Sequence, residues 1–295
     1  MLRLERVRGF LVDYEARRHV TSIQISDSGN AVCGEIGSSM NVSADIERLG
    51  PCRRPGERVA GYQCWSDLLF AHWRGPVELL RPLIPRDLEI DTFEGEAWLG
   101  LVPFHMSGVR PAWFPSMPYV SEFHETNLRT YVHFRGGDPG VWFISLDAAC
   151  RAVVEVARWK WHLNYFHSEM DLLREGDEVR YSSRRIDRRS SRRAEVDISA
   201  RVGEALNPEP GVSVEPGTLE HFLAERYVLY AEDHRGKLLR GRVHHSPYPL
   251  RSAEVVSCRQ TLASAAEVPV SGQPDHLLFS EGVTVDIFPL RRVSL

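Results

Sequence analysis

The segment Glu125–Phe134, Glu-Thr-Asn-Leu-Arg-Thr-Tyr-Val-His-Phe, constrains the fold of this chain more than any other. Side chains on a β-strand point alternately to opposite faces. Glu125, Asn127, Arg129, Tyr131 and His133 therefore share one side, and Thr126, Leu128, Thr130, Val132 and Phe134 line the other. From alternation alone the ionisable side is expected at solvent, as on the open face of an antiparallel sheet. The alternative is the interior of a closed sheet, where a carboxyl beside a guanidinium could bind and polarise a small acid. The Trp, Phe, Pro and Tyr residues just upstream, in the loop Val109–Tyr119, point toward a covered surface.

Neighbouring segments read the same way. Ala97–Phe104, Val141–Leu146, Tyr227–Ala231, Leu239–His245 and Leu277–Leu290 are strands by their apolar and β-branched content, and Glu178–Arg185 with Arg193–Val202 is a hairpin pair. Helical signals are few. Pro76 opens a short helix that Pro82 and Pro85 end, Asp147 is placed to cap a helix from Ala148 to about Trp159, and Thr218 caps one through Ala224. Many strands, few helices and no βαβ alternation argue for a β-rich α+β fold, a sandwich or barrel. Residues 1–60, rich in Ser, Gly and Arg with a weak strand pattern at Val20–Ile25, read as an N-terminal extension to a main domain at 61–295.

Composition excludes several classes. At 43% hydrophobic and 26% charged, the chain has an ordinary globular core. A formal net charge of −4 gives no overall field for nucleic acid or anionic membrane, so neither is expected as a partner. Five cysteines without a C-x-x-C spacing suit a reducing compartment, and the charged N-terminus lacks the apolar stretch of a signal peptide. The longest apolar stretch, Val141–Ala157, is broken by Asp147, Arg151 and Glu155, so a cytoplasmic protein is expected. Of 36 basic residues only Lys160 and Lys237 are lysines, which leaves an amine-based mechanism two candidates.

Phosphate-loop, dinucleotide and nucleophile-elbow motifs are absent. His124-Glu125 does not extend to H-E-x-x-H, and adjacent His244 and His245 face opposite ways on a strand, so no metal and no cofactor are expected. The run Arg184–Arg193 holds six arginines; a solvated hairpin tip offset by nearby acids is favoured over a phosphate site. Lys160, between Trp159 and Trp161, is read as a lysine snorkelling at a helix end rather than a desolvated nucleophile.

Several segments carry a family resemblance. They are His72-Trp73-Arg74, Leu88–Gly95, Ala97–Phe104, Glu125–Val132, Pro139–Phe143, Ser145–Ala148, Glu225-Arg226-Tyr227 and His244–Leu250. Over about Gln63 to Leu290 the chain resembles the YqjF-like domain-of-unknown-function family, within the acetoacetate decarboxylase-like superfamily. The resemblance implies a curved antiparallel sheet or barrel enclosing a pocket. It also implies a small-molecule ligand, and it leaves a homo-oligomer open because the superfamily often assembles into oligomers.

In the decarboxylase a lysine forms a Schiff base with a β-keto acid, while an arginine and glutamates position the substrate. By position the arginine matches Arg74 and one glutamate matches Glu125; the second glutamate has no counterpart at Asp138-Pro139-Gly140. Where the lysine would stand the chain has Leu163-Asn164-Tyr165-Phe166, so Schiff-base decarboxylation is not expected. The expected site therefore has Arg74, Asn127 and Arg129 binding a small carboxylate or carbonyl compound. Glu125 would accept a proton and Tyr131 or Tyr165 would donate one. The rival reading is a non-catalytic binding or accessory protein that kept the fold after losing the lysine.

Overall fold

The computed structural model describes residues 46–117, 120–270 and 272–293; the expected strand at Val20–Ile25 lies outside them. In chain order the elements are β1 (Gly61–Gly75), α1 (Val77–Leu80), β2 (Glu89–Ile90), β3 (Ala97–Pro111), β4 (Phe123–Phe134) and β5 (Gly137–Ala148). After these come α2 (Arg151–Trp161), β6 (Tyr165–Glu175), β7 (Glu178–Arg185), β8 (Glu195–Ala205), α3 (Leu219–Ala224) and β9 (Val228–Glu232). The chain continues through β10 (Leu238–His244), β11 (Leu250–Gln260), α4 (Leu262–Ala265), β12 (His276–Ile287) and β13 (Arg291–Arg292). No helix among the described residues is long and apolar enough to cross a membrane.

The strands form one strongly curved sheet, antiparallel except where β5 pairs in parallel with β6 and with β9. The β5–β6 pair is joined through α2, a βαβ unit that the sequence pattern did not announce. Two closed hydrogen-bond circuits share the run β12–β1–β3–β4–β5. One returns through β6, β7, β8 and β11, and the other through β9 and β10. A strand common to two circuits has an enclosed space on each side. Leu69, Ala71, Leu99, Leu101 and Leu128 accordingly pack with Tyr181, Val196 and Ile198, while Leu68, Phe70, Val102 and Phe104 pack with Tyr165, Val243 and Tyr248.

This double enclosure overturns the solvent-face reading of β4. Glu125, Asn127, Arg129, Tyr131 and His133 are 3%, 5%, 8%, 0% and 7% exposed, as buried as Leu128 and Val132 on the other side. The turn after β4 is also tighter than expected. Phe134 pairs with Gly137, so the hairpin turns on Arg135 and Gly136 alone, both at positive φ (51° and 75°). That is the handedness a two-residue hairpin needs, and glycine meets it without strain. Asp138, Pro139 and Gly140 become strand.

Asp147 does not cap a helix. It belongs to β5 opposite Thr126, with its carboxylate fully buried against Arg185 (2.7 and 2.8 Å) and the Ser168 hydroxyl (2.6 Å). α2 starts later, after Cys150. Thr218 does cap α3, accepting from the His221 N–H. Residues 46–60, the described part of the expected extension, lie against the sheet through Arg48–Asp91, Arg54–Asp286 and Glu57–Arg291 ion pairs.

Candidate functional site

The sheet walls the polar face of β4 with apolar neighbours. Opposite Glu125 stand Phe104 and Ala148, opposite Asn127 stand Val102 and Leu146, and opposite Arg129 stand Gly100 and Phe143. A carboxyl so placed loses its hydration, which penalises the charged form. Burial pushes Glu125 up to about 8; the Tyr165 hydroxyl, donating to Oε2 at 2.8 Å, offsets part of that rise, and the Asp147 charge adds to it. Tyr165 is itself held well above its ordinary value by burial and by Glu125, so it stays a neutral donor.

Four positions along the strand sits Arg129, about 13 Å from Glu125 at ~3.3 Å per residue. Its Nη2 donates to the Leu223 carbonyl (3.2 Å) and to the Tyr131 hydroxyl (3.4 Å), and its plane lies 5.5 Å from the Phe70 ring. Its Nε has no hydrogen-bond partner, and no carboxylate among the described residues pairs with it. The Asn127 side-chain oxygen, midway along the stripe, is also buried without a partner. Buried ions are ordinarily paired, so a buried guanidinium without a carboxylate among the described residues stands out.

Gly100 makes the arrangement possible. It faces both His72 on β1 and Arg129 on β4, and a Cβ there would stand 3.1 Å from the His72 ring and 3.4 Å from the Arg129 Cγ. His72 is fully buried, with Nε2 2.7 Å from the Tyr131 Oη. Burial, then Arg129 and His276, hold it well below its ordinary value, so it is neutral near pH 7. The Tyr131 hydroxyl donates to the Leu223 carbonyl at 2.9 Å.

The structure thus gathers Glu125, Asn127, Arg129, Tyr131 and Tyr165 along one buried wall. It does not bring Arg74 there. Arg74 shares a face with His72, but β1 ends one residue later; its side chain is 53% exposed and pairs with Asp275. His72, two residues earlier, occupies the interior place that Arg74 was expected to hold. Tyr131 is committed to scaffolding through His72, Arg129 and Leu223, which leaves Tyr165 as the phenol beside the carboxyl. Both lysines are exposed and outside this wall.

Sequence reasoning missed the residues that close the site from the other side. Tyr248 packs edge-on against Phe70 at 5.4 Å. Its backbone N–H donates to Glu225 (3.1 Å), which also accepts from the Tyr227 hydroxyl at 2.5 Å. Tyr227 stacks on His245 at 4.4 Å. His245 is held down to about 4 by burial, and Glu225 is raised for the same reason. The signal for them was present in the segments Glu225-Arg226-Tyr227 and His244–Leu250, but only the fold shows that these segments meet. The Arg184–Arg193 tip, by contrast, is matched to acids: Arg184 to Glu169, Arg189 to Glu155 and Asp187, Arg192 to Glu267 and Arg193 to Glu195. An open cleft of ≈ 920 Å³ on β6, β7, β8 and β11 includes Glu169, Asp171, Arg184, Asp197 and Arg259, and none of the stripe residues lines it.

The fold is shared with solved structures that include acetoacetate decarboxylase and acetoacetate decarboxylase-like proteins. The enduracididine biosynthesis enzyme MppR complexed with pyruvate superposes with a TM-score of 0.53 at 14% identity, covering 81% of this chain and 92% of that one. An acetoacetate decarboxylase-like enzyme from Sphingomonas wittichii RW1 gives 0.54 at 13% identity, over 81% and 94% of the two chains. Acetoacetate decarboxylase from Legionella pneumophila gives 0.51 at 15% identity, over 84% and 96%. At such identities the likeness concerns the fold alone. Sequence is more specific: the chain belongs to the DUF2071 family, described as an uncharacterized conserved protein, which it matches over residues 62–284. It is 36% identical over 233 residues to the uncharacterized protein YqjF of Bacillus subtilis (strain 168), covering 79% of this chain and 92% of that relative.

Proposed function

We propose that this protein binds a small carboxylate, one carrying a carbonyl group, against the buried face of β4. The observation that supports this most is Arg129, a buried guanidinium that among the described residues has neither a carboxylate partner nor a hydrogen-bond partner for its Nε. An anionic ligand would supply the missing counter-charge, and a guanidinium–carboxylate bond is stronger out of water than in it. The Asn127 oxygen could accept from the ligand's hydroxyl or enol. That MppR holds pyruvate in a related fold is in keeping with this reading.

At about 13 Å along β4 from Arg129, Glu125 reaches only a ligand long enough to span the stripe. With its pKa near 8 it is a protonated acid at neutral pH, better suited to donate a proton than to abstract one. It becomes a base only above that value. Tyr165 orients it. A Schiff-base route has no amine at this wall. The non-catalytic alternative keeps the same Arg129 contact and gives Glu125 only a hydrogen bond to the ligand.

The test is calorimetric titration of the purified chain with pyruvate, acetoacetate and acetate, repeated on Arg129→Met. Proton exchange at the ligand's α-carbon, followed by NMR, separates the enzyme from the binder. Saturable binding that Arg129→Met abolishes supports the reading, and binding unchanged in that variant refutes it. Exchange that disappears in Glu125→Gln makes Glu125 the acid–base group, and no exchange leaves the binder.

A further inference from the structure

The family match begins at residue 62, yet a residue ahead of it reaches the site. Arg48 forms a two-pronged ion pair with the fully buried Asp91 (2.6 and 2.7 Å), and its guanidinium lies 5.0 Å from the Phe222 ring. Asp91 takes a second guanidinium, Arg226, at 2.7 Å, while Arg226 donates to the Phe222 carbonyl at 2.6 Å and stacks over Phe222 and Tyr131. Burial pushes the Asp91 carboxyl up, but Arg48 and Arg226 more than offset that and hold it below its ordinary range. The Asp91 backbone N–H donates to the Tyr131 carbonyl at 2.9 Å. Phe222 and the Leu223 carbonyl both belong to α3, and that carbonyl is what fixes Arg129 and Tyr131.

Residues 46–60, the strap that carries Arg48, are themselves tied down. Arg242 donates to the carbonyls of Pro51 and Arg53 (2.9 and 3.0 Å), and the Cys52 thiol contacts the Arg48 carbonyl. Among the described residues one carboxylate therefore balances one of two guanidiniums in this cluster, and the strap adds both a clamp and a positive charge beside the wall.

We propose that Arg48 is a positioning residue, holding α3 so that the Leu223 carbonyl keeps the Arg129 guanidinium aimed at the bound carboxylate. This rests on the carboxylate-binding reading above. The step from Arg48 to Arg129 runs through two contacts: Arg48 grips Asp91 and Phe222, and α3 carries the grip to Leu223. Because the clamp depends on a planar fork seizing two carboxylate oxygens, lysine, a single point charge, does not replace it.

Full-length wild type, Arg48→Ala, Arg48→Lys and Arg129→Met are compared by amide hydrogen exchange and by calorimetric titration with pyruvate and acetoacetate. The expected result is exchange at residues 219–226 at least tenfold faster in both Arg48 variants, with affinity for the bound acid at least fivefold weaker in both. Rescue by Arg48→Lys would overturn the clamp and leave a charge effect. Unchanged exchange in Arg48→Ala, or faster exchange with unchanged affinity, would overturn the proposal while the carboxylate site stands. A wild-type chain that binds neither acid sinks the carboxylate reading and this proposal with it, whatever the exchange shows.

Discussion

Two arginine-bearing regions of this molecule differ in charge density, burial and pairing. The Arg184–Arg193 segment is dense in charge, and most of its guanidiniums sit at the surface beside acids. The polar face of β4 carries one guanidinium, buried and without a counter-charge among the described residues. Density of charge is cheap at a surface, where water does most of the stabilising. Isolation of a charge in an apolar enclosure is costly, and that cost is what the proposed carboxylate ligand would offset.

The sharpest way to break this comparison lies at Arg185, which begins beside the tip but turns inward to Asp147. Arg185→Met leaves that carboxylate buried and unpaired, and is expected to destabilise the chain by about 3–5 kcal/mol in urea unfolding. Arg129→Met is expected to do the reverse: affinity for a small carboxylate falls ~100-fold, a loss of about 2.7 kcal/mol in binding, while stability is unchanged or higher because no partner is orphaned. If Arg129→Met destabilised the fold as much as Arg185→Met, Arg129 would be a structural ion with a hidden counter-charge.

The Glu125 carboxyl sharpens the contrast through pH. Its folded pKa, about 8, lies above its ordinary value of 4.5, so the folded state holds the proton more tightly than the unfolded chain. The stability this gives is complete below about pH 4.5 and drains away as pH rises to about 8, at up to ~1.4 kcal/mol per pH unit. Glu125→Gln should remove that contribution, so unfolding curves at pH 5 to 8 converge in the acid and separate in the alkaline range, with the variant more stable. Gly100→Ala is a smaller perturbation. The added methyl presses on His72 and Arg129, with an expected cost of about 1 kcal/mol and weaker carboxylate binding. Smallest of all, Arg192→Ala or Arg193→Ala at the tip should shift stability by less than ~1 kcal/mol and leave binding alone.

Much of the fold could be read from the sequence where a single physical rule governs. Alternation found β4, and the Thr218 cap found α3. The rule failed where tertiary partners decide. Alternation assigns residues to faces but says nothing about which face is covered, and here both are. Asp147 has the side chain of a helix cap, yet Arg185 arrives from β7 and claims it. β11, with Arg251, Glu254 and Arg259 among its eleven residues, has no apolar stripe to betray it. For the candidate site, the common face of Glu125, Asn127 and Arg129 was legible because they share a strand, and the structure adds that Tyr165 meets Glu125 there. Arg74 misled because position in a motif does not reveal where a strand runs out into solvent. His72, Glu225, Tyr227 and Tyr248 went unassigned because their roles exist only once β1, α3 and the segment after β10 have met.

Carboxylate binding at Arg129 is tested most directly by titration of the wild-type chain beside Arg129→Met at pH 7. The expected result is saturable binding of pyruvate or acetoacetate by the wild type and a ~100-fold loss in the variant, whose melting temperature does not fall. Equal affinity in the two proteins, or no affinity in the wild type, would contradict carboxylate binding at Arg129.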